Sequence, residues 1–366
     1  MRVGNARFDI TPAGRTYLGG YRAESRLEPA RGVHDRIWGN ALLFDDGATQ
    51  AFLVSLDLVE IEETMADDVK TLLAGQFGID RDLVLVAATH DHSSTAVYHR
   101  DWWTRKFDQV AYDALLEQIA DAFTTCRDGL RPASAVYGRD TVLGHYGNRN
   151  HPGEPADNQV TVVTFLDDEG RPFCGIVGWA VHSTVLPAAN DQLTGDLAGA
   201  VRDRLAEAFG FHPLMMVGAA GDCSNRHQRQ GRDFAELERV STALAGRIAA
   251  IPLDRHVELG PVRCQTLFHT VHHDGFHLDA KGWVVDLGQL RLFVFPGELG
   301  SAFGPRLRAN HPGLALVCGY TNGYYAYWMP AEEYGLSFET TSSRIPRGEP
   351  ERLVAKLVLA ASLLDG

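Results

Sequence analysis

Gln159–His182 reads QVTVVTFLDDEGRPFCGIVGWAVH, two β-branched apolar runs separated by a polar, glycine-containing turn. That is the pattern of an antiparallel hairpin. The second run ends on a histidine, His182, so the strand delivers a polar group at its carboxyl end. Outward from this hairpin, further short runs recur at Ala41–Phe44, Ala51–Val59, Leu83–His90, Pro213–Ala220, Leu290–Gly297 and Leu314–Tyr320, each bounded by Gly, Asp or Pro. Several are almost continuously apolar, as strands covered on both faces must be. Between them, apolar residues at i, i+3 and i+4 predict helices over Glu62–Phe77, Phe107–Cys126, Leu197–Phe209, Ala235–Ala250 and Glu351–Leu364. Strand and helix segments alternate, so the class is α/β, with mixed β-sheets flanked by α-helices. No internal repeat or linker stands out, and residues 1–366 read as a single domain. The two most irregular stretches, Leu143–Asn158 and Asn322–Pro350, have the length and composition of functional loops.

With 366 residues, 45% of them hydrophobic, the chain can bury a large core without covalent staples. No apolar run reaches the length of a bilayer span. Cys126, Cys174, Cys223, Cys264 and Cys318 are scattered and form no CxxC pair, which excludes a disulfide framework and a thiolate zinc site. A net charge of −13 excludes a nucleic-acid partner, whose phosphates require a basic face. The opening MRVGNARFDITP has no basic, apolar and small-residue succession of an export signal, so the expectation is a cytoplasmic protein.

Candidate chemistry begins at Ala88-Thr89-His90-Asp91-His92-Ser93, directly after an apolar run. In extended chain, residues two apart face the same way, so both imidazoles can enter one cleft. By itself the pair fits a metal site and hydrogen-bonded structural histidines equally well. His182 ends a second strand, and Glu298 follows a third at an expected helix start after Pro296 and Gly297. Two imidazoles and one carboxylate from separate strand ends make the ligand set of a catalytic zinc with a position left for water. Taken alone, Glu298 also reads as a helix N-terminal carboxylate. His269, His272, His273 and His277 form another histidine-rich run, read here as surface or rim groups rather than a second metal site. Asp196 and Asp222 each follow a glycine and fit either supporting partners of a ligand histidine or turn-forming aspartates; Asp57, at a strand end, fits a supporting or a capping role.

The chain resembles the neutral, non-lysosomal ceramidases in a colinear series of blocks. These are Phe8–Pro12 (FDITP), Gly32–Phe44, Val54–Asp57 (VSLD), Ala88–Ser93 (ATHDHS), Asn148-Arg149, Trp179–Thr184 (WAVHST), Leu193–Asp196, Gly218–Asn225 (GAAGDCSN), Pro296–Arg308 and the tyrosine-rich Asn322–Tyr334. The resemblance implies a ceramidase-like catalytic domain and a zinc ion held by His90, His182 and Glu298, with Tyr327 on or beside the metal. It further implies that His92 and Arg149 are the catalytic histidine and arginine, and that Ser224 is the serine of the family's GDxSPN block. The implied reaction is zinc-activated hydrolysis of the amide bond of an N-acyl compound, with His92 moving the proton and Ser224 either nucleophile or substrate-binding hydroxyl. A hydrolase of a small soluble amide or ester, and a zinc-binding homologue without turnover, are the competing readings.

The departures from the family pattern bear on substrate. Ser94 and Thr95 replace a Gly-Pro pair, GDCSN lacks the proline after its serine, and Phe338 falls near the position of a second active-site tyrosine. A catalytic domain without the family's C-terminal β-sandwich is expected. The expectation is therefore a smaller or more polar N-acyl substrate in preference to long-chain ceramide.

Overall fold

Each of the three larger sheets is built the same way: two antiparallel strands, a helix, and an edge strand that returns parallel to the second of them. In the first, Trp38–Asp45 and Gln50–Leu56 form the hairpin, helix Glu63–Phe77 follows, and Val84–Ala88 is the parallel edge. In the second the succession is Gln159–Leu166, Pro172–Trp179, helix Asp196–Phe209 and Leu214–Val217. The third runs Phe276–Leu287, Leu290–Val294, the short helix Phe303–Arg308 and Leu314–Cys318. Arg2–Asp9, Ser134–Thr141 and Val262–His273 extend the three sheets by antiparallel pairing. The computed structural model describes residues 1–154 and 156–365; Pro155, which falls within the irregular stretch Leu143–Asn158, and Gly366 lie outside the described residues.

The α/β class with mixed sheets is what the alternating pattern requires, and the first sheet shows why its strands read as continuously apolar. Phe52, Val54 and Leu56 point into a core shared with the helices, while Ala51 and Leu53 point into one shared with the other two sheets. The period-2 alternation is there, but both phases are buried. A third cluster fills the space beneath the helix Glu349–Ser362. The five expected helices form at Glu63–Phe77, Gln109–Asp128, Asp196–Phe209, Phe234–Ala249 and Glu349–Ser362. Gly78 and Gly210, in the left-handed conformation at φ 73° and 77°, close the first and third by accepting a backbone geometry that a side chain would resist. Among the described residues no helix is long and apolar enough to cross a membrane.

Two readings of the sequence need correction. The run His269–His277 forms a long hairpin, with His272 opposite His277 across the Asp274-Gly275 turn; His272, His273 and His277 are exposed as expected of surface groups, but His269 is buried. Glu298 does not start a helix. It lies in a short strand, Glu298–Leu299, paired in parallel with Tyr327–Trp328, because the tyrosine-rich segment supplies the backbone partners that a helix would otherwise provide. The threefold recurrence of hairpin, helix and parallel edge is likewise carried by backbone pairing and not by recurring residues.

Because the last hairpin strand and the edge strand of each sheet run in the same direction, their carboxyl ends emerge side by side. The three pairs of ends are tied together: Ser55 Oγ donates to Met215 O at 2.7 Å, Gly319 N to Val217 O at 2.8 Å, and Ala88 N to Tyr320 O at 3.0 Å. Asp57 secures the first sheet to the helix of the second. Its carboxylate accepts two hydrogen bonds from Arg202 Nη1, both at 2.8 Å, and one from Trp38 N at 2.9 Å, with both side chains fully buried. Removing one partner of such a pair strands the other charge in the interior. Asp57→Ala should therefore cost about 3–5 kcal/mol in urea unfolding; a loss below about 1 kcal/mol would show that the pair does not hold these elements together.

Candidate active site

His90 follows the edge strand Val84–Ala88, His182 follows Pro172–Trp179, and Glu298 follows Leu290–Val294, so each sheet contributes one side chain. They meet in the interior. Glu298 Oε2 lies 3.5 Å from His90 Nε2 and 3.1 Å from His182 Nε2, and all three side chains are buried. His90 Nδ1 is 2.7 Å from Val59 O and His182 Nδ1 is 3.0 Å from Cys223 O. Each backbone carbonyl fixes the ring and leaves Nε2 bare toward the cluster, the arrangement of a histidine prepared to bind a metal. His182 Nε2 is buried without a hydrogen-bond partner.

His92 Nε2 sits 3.1 Å from His90 Nε2, and the nitrogens of His90, His92 and His182 all lie within 4.8 Å of one another. His92 reaches this cleft by a route other than strand alternation: His90 adopts a left-handed φ of 57°, so the segment turns instead of running extended. No carbonyl holds His92 Nδ1, which is buried and unpartnered. In this respect it differs from the other two imidazoles. A four-coordinate ion with bonds of about 2.0–2.2 Å separates its ligand atoms by about 3.3–3.6 Å. The 3.5 Å gap from Glu298 Oε2 to His90 Nε2 falls in that range, and the 3.1 Å gap to His182 Nε2 is slightly shorter than it.

Burial and the neighbouring groups set the charges. Burial, only partly offset by Glu298, drives His90 down to about 3, and burial with Arg149 lowers His182, so both rings are neutral at pH 7. Burial works against the Glu298 carboxylate, but His90, His182 and Arg149 outweigh it and hold the group down at about 2. Tyr320 Oη donates to Glu298 Oε2 at 3.1 Å and Tyr324 Oη donates to Oε1. Tyr320 is not among the residues anticipated from the sequence, and Tyr324 is expected from it only as part of an aromatic pocket wall. Both lie in the segment after the edge strand Leu314–Cys318, which only the pairing of that segment against the first and third sheets brings to the site.

Arg149 donates through Nε to Glu339 Oε1 at 2.6 Å and through Nη2 to Tyr327 Oη at 3.2 Å. Burial opposes its charge, yet Tyr327, Glu339 and Glu298 keep the guanidinium more firmly protonated than usual. Tyr327 therefore faces Arg149, while Tyr320 and Tyr324 touch Glu298. Ser224 lines the same cleft, and its Oγ accepts from Arg226 N at 3.2 Å, a turn-capping bond. Phe338 also lines it, with its ring centroid 6.2 Å from that of Tyr327, so no hydroxyl occupies that place. The cleft encloses about 750 Å³ and is further walled by Trp102, Trp103 and Tyr21.

Neither Asp196 nor Asp222 hydrogen-bonds an imidazole among the described residues, so of their two readings the structure supports backbone and segment fixing over orientation of a ligand ring. Asp196 accepts from Val185 N at 3.0 Å and Leu186 N at 3.2 Å, fixing the loop after His182. Asp222 accepts from Ser301 N at 2.7 Å, Ser301 Oγ at 2.9 Å and Asn148 Nδ2 at 3.1 Å, joining the strand of Glu298 to the segment of Arg149. Asp57 serves the Arg202 pair described above. The hairpin histidines stay apart from the cluster: His269 Nε2 meets Glu349 Oε2 at 2.8 Å, and His272 meets His277 at 3.0 Å between ring nitrogens. Glu60, Glu62 and His99 form a second buried group of potential ligand atoms that the sequence reading did not anticipate.

Residues 1–209 match the family described as neutral/alkaline non-lysosomal ceramidase, N-terminal. The neutral ceramidase of Pseudomonas aeruginosa is 27% identical over 219 residues, covering 54% of this chain and 32% of that protein. The neutral ceramidase of Oryza sativa subsp. japonica is 23% identical over 219 residues, covering 54% of this chain and 28% of that protein. The aligned part of the chain thus spans about a third of the length of these curated relatives. A solved structure described as a ceramidase complexed with C2 superposes on 100% of this chain and 75% of its own, with a TM-score of 0.86 at 19% identity. The crystal structure of the Pseudomonas aeruginosa neutral ceramidase covers 99% of this chain and 74% of its own, with a TM-score of 0.85 at 20% identity. These superpositions establish the fold across the second half, where Ser224, Glu298 and Tyr327 lie beyond the matched family region.

The Asp222 hydrogen bonds suggest a direct check on how the cleft is held. Asp222→Ala strands three donors, and each buried donor left unpaired costs about 1–3 kcal/mol before water or relaxation recovers part of it. A net loss of about 3 kcal/mol in chemical denaturation is expected. A variant within 0.5 kcal/mol of wild type would mean that Asp222 is not the tie between these segments.

Proposed function

The chain belongs to the neutral/alkaline non-lysosomal ceramidase family, and from that premise we propose that it is a zinc-dependent hydrolase cleaving the amide bond of an N-acyl compound. The observation that carries this reading is the convergence of His90 Nε2, His182 Nε2 and Glu298 Oε2 at ligand spacing, with both Nδ1 atoms occupied by backbone carbonyls. These three side chains would hold the ion. Zinc in such a site lowers the pKa of a water molecule to roughly 7 and polarises a carbonyl.

The residues around it supply the rest of the chemistry. Arg149, kept protonated by Glu339 and Tyr327, is a fixed donor for the negative charge that develops on the carbonyl oxygen. The Tyr327 hydroxyl, pushed up by burial and by Glu298, stays protonated and can donate as well. Burial, followed by His90 and His182, holds His92 well below its ordinary value, so it enters the reaction neutral, the form that accepts a proton. Its unpartnered ring nitrogen gives it a free position from which to take that proton and pass it to the leaving amine, which is too poor a leaving group without one. The capping bond at Ser224 Oγ favours a substrate-binding hydroxyl over a nucleophile, since no histidine contacts it.

His182→Ala should lose zinc as measured by elemental analysis of the metal-replete protein while keeping its circular dichroism. A folded variant with undiminished zinc would remove the ligand assignment. His92→Ala should retain zinc and lower kcat by about a hundredfold to ten-thousandfold on an N-acyl substrate. If zinc leaves with His92 and stays when His90 is replaced, the two histidines have exchanged roles. Undiminished zinc binding without hydrolysis of any N-acyl amine, from acetyl to palmitoyl, would instead support a binding protein.

A further inference from the structure

Four arginines, Arg22, Arg226, Arg229 and Arg232, line the same cleft as the histidine cluster. Among the described residues none of them is ion-paired to a carboxylate, and the one side-chain bond recorded for the group runs from Arg229 Nη1 to Thr184 O at 2.7 Å. The protein has no shortage of partners, with 47 acidic residues against 34 basic ones. Burial, Arg232 and Arg226 together lower Arg229 below the ordinary guanidinium value, with Tyr21 and Asp196 pulling the other way, so these charges lie close enough to oppose one another.

The segment that carries three of them is fixed at both ends. Gln228 N and Arg229 N both donate to Asn225 O, at 3.0 and 2.9 Å, and His227 Nε2 lies 3.1 Å from the carbonyl of Arg149. At the far end Gln230 N donates to Glu236 Oε1 at 2.8 Å, and Asp233 caps the following helix. The nearby carboxylates are thus committed: Asp233 to the cap and Glu236 to Arg239. Of the acidic groups in the cleft, Glu298 is engaged by His90, His182 and two tyrosines. Glu60 is pushed up to about 8 by burial, Glu62 and Glu298, with Arg22 pulling the other way, and makes no ion pair with any of the four arginines among the described residues. Asp101 is the remaining acidic residue that lines the cleft with the four arginines.

A group of like charges on a fixed backbone segment, without carboxylate partners, is favourably engaged when a ligand brings the opposite charge. We infer that the cleft selects N-acyl compounds bearing a full negative charge, a carboxylate or a sulfonate, which would lie against Arg226, Arg229 and Arg232 beside Ser224. The guanidinium fork suits either anion through paired hydrogen bonds. This inference rests on the amidase reading for the scissile bond but not for the anion itself.

The test uses compounds that differ by one charge: N-lauroylglycine and its neutral amide, N-lauroylglycinamide, with N-lauroyltaurine as the sulfonate arm. Calorimetric binding to the metal-free protein, where cleavage does not compete, should favour the carboxylate or the sulfonate over the amide by about tenfold or more. The preference should shrink as sodium chloride is raised, through screening of this partly exposed site. It should fall below about threefold in the Arg226→Gln/Arg232→Gln double variant, whose thermal midpoint serves as the control for folding. Equal binding of the acids and the amide, or a preference unchanged in a folded double variant, would overturn the inference. The two readings separate cleanly. Anion-selective binding with no hydrolysis by the zinc-loaded protein keeps the anion site and removes the amidase; hydrolysis of acid and amide with equal kcat/KM and equal affinity does the reverse.

Discussion

A carboxylate with almost no solvent exposure can stay ionised only if the fold surrounds it with donors and positive charge, and Glu298 is such a group. Two imidazoles, two tyrosine hydroxyls and the field of Arg149 meet it from separate parts of the chain. Each of those groups is itself buried and must be satisfied in turn, which extends the demand outward. His90 and His182 lean on the carbonyls of Val59 and Cys223, Arg149 leans on Glu339, and Asp222 clamps the backbone beyond Glu298 to Asn148. The site is therefore the point at which three sheets are held in register, and little of it could be removed without loosening their common end.

The repeated hairpin, helix and parallel edge explains how so many polar groups arrive together. Antiparallel strands alternate their carboxyl ends between the two sides of a sheet, whereas a parallel pair puts both on one side. Each sheet here has one such pair, and the loops leaving them carry Asp57 and His90, His182 and Asp222, Glu298 and Tyr320. The geometry has a conformational cost. His90, Asp196, Tyr320, Asn322 and Ala326 all adopt positive φ, at about 1–2 kcal/mol each for residues with a side chain. Strain of this kind persists where surrounding contacts over-determine the backbone, and its concentration in these loops marks them as the constrained part of the molecule.

Electrostatically the cleft has two regions. Around Glu298 the charges are matched and the histidines are neutral, which suits metal ligation. Around Arg226, Arg229 and Arg232 they are unmatched, in a protein whose overall charge is strongly negative. The fold is shared with ceramidases, and the cleft within it carries guanidinium groups that no carboxylate pairs among the described residues.

The sequence by itself determined the α/β class, the five principal helices and the identity of His90, His92, His182, Arg149, Ser224, Glu298 and Tyr327 as candidates, because apolar periodicity is local and because the blocks around those residues are contiguous. It also exposed Phe338 as a departure, and that side chain stands beside Tyr327 in the cleft. What only the tertiary structure decided is contact between segments far apart in the chain. Tyr320 and Tyr324 reach Glu298, Glu339 reaches Arg149 across 190 positions, and Arg202 reaches Asp57 across 145. Glu298 looked like a helix start because Pro-Gly precedes it, yet pairing with Tyr327–Trp328 made it a strand. His90 looked extended because an apolar strand runs up to it, yet it turns left-handed at φ 57°. Local pattern records which conformations a segment prefers, while the partners that satisfy its buried polar groups are chosen by the packing of the sheets, and at this site the second consideration prevailed.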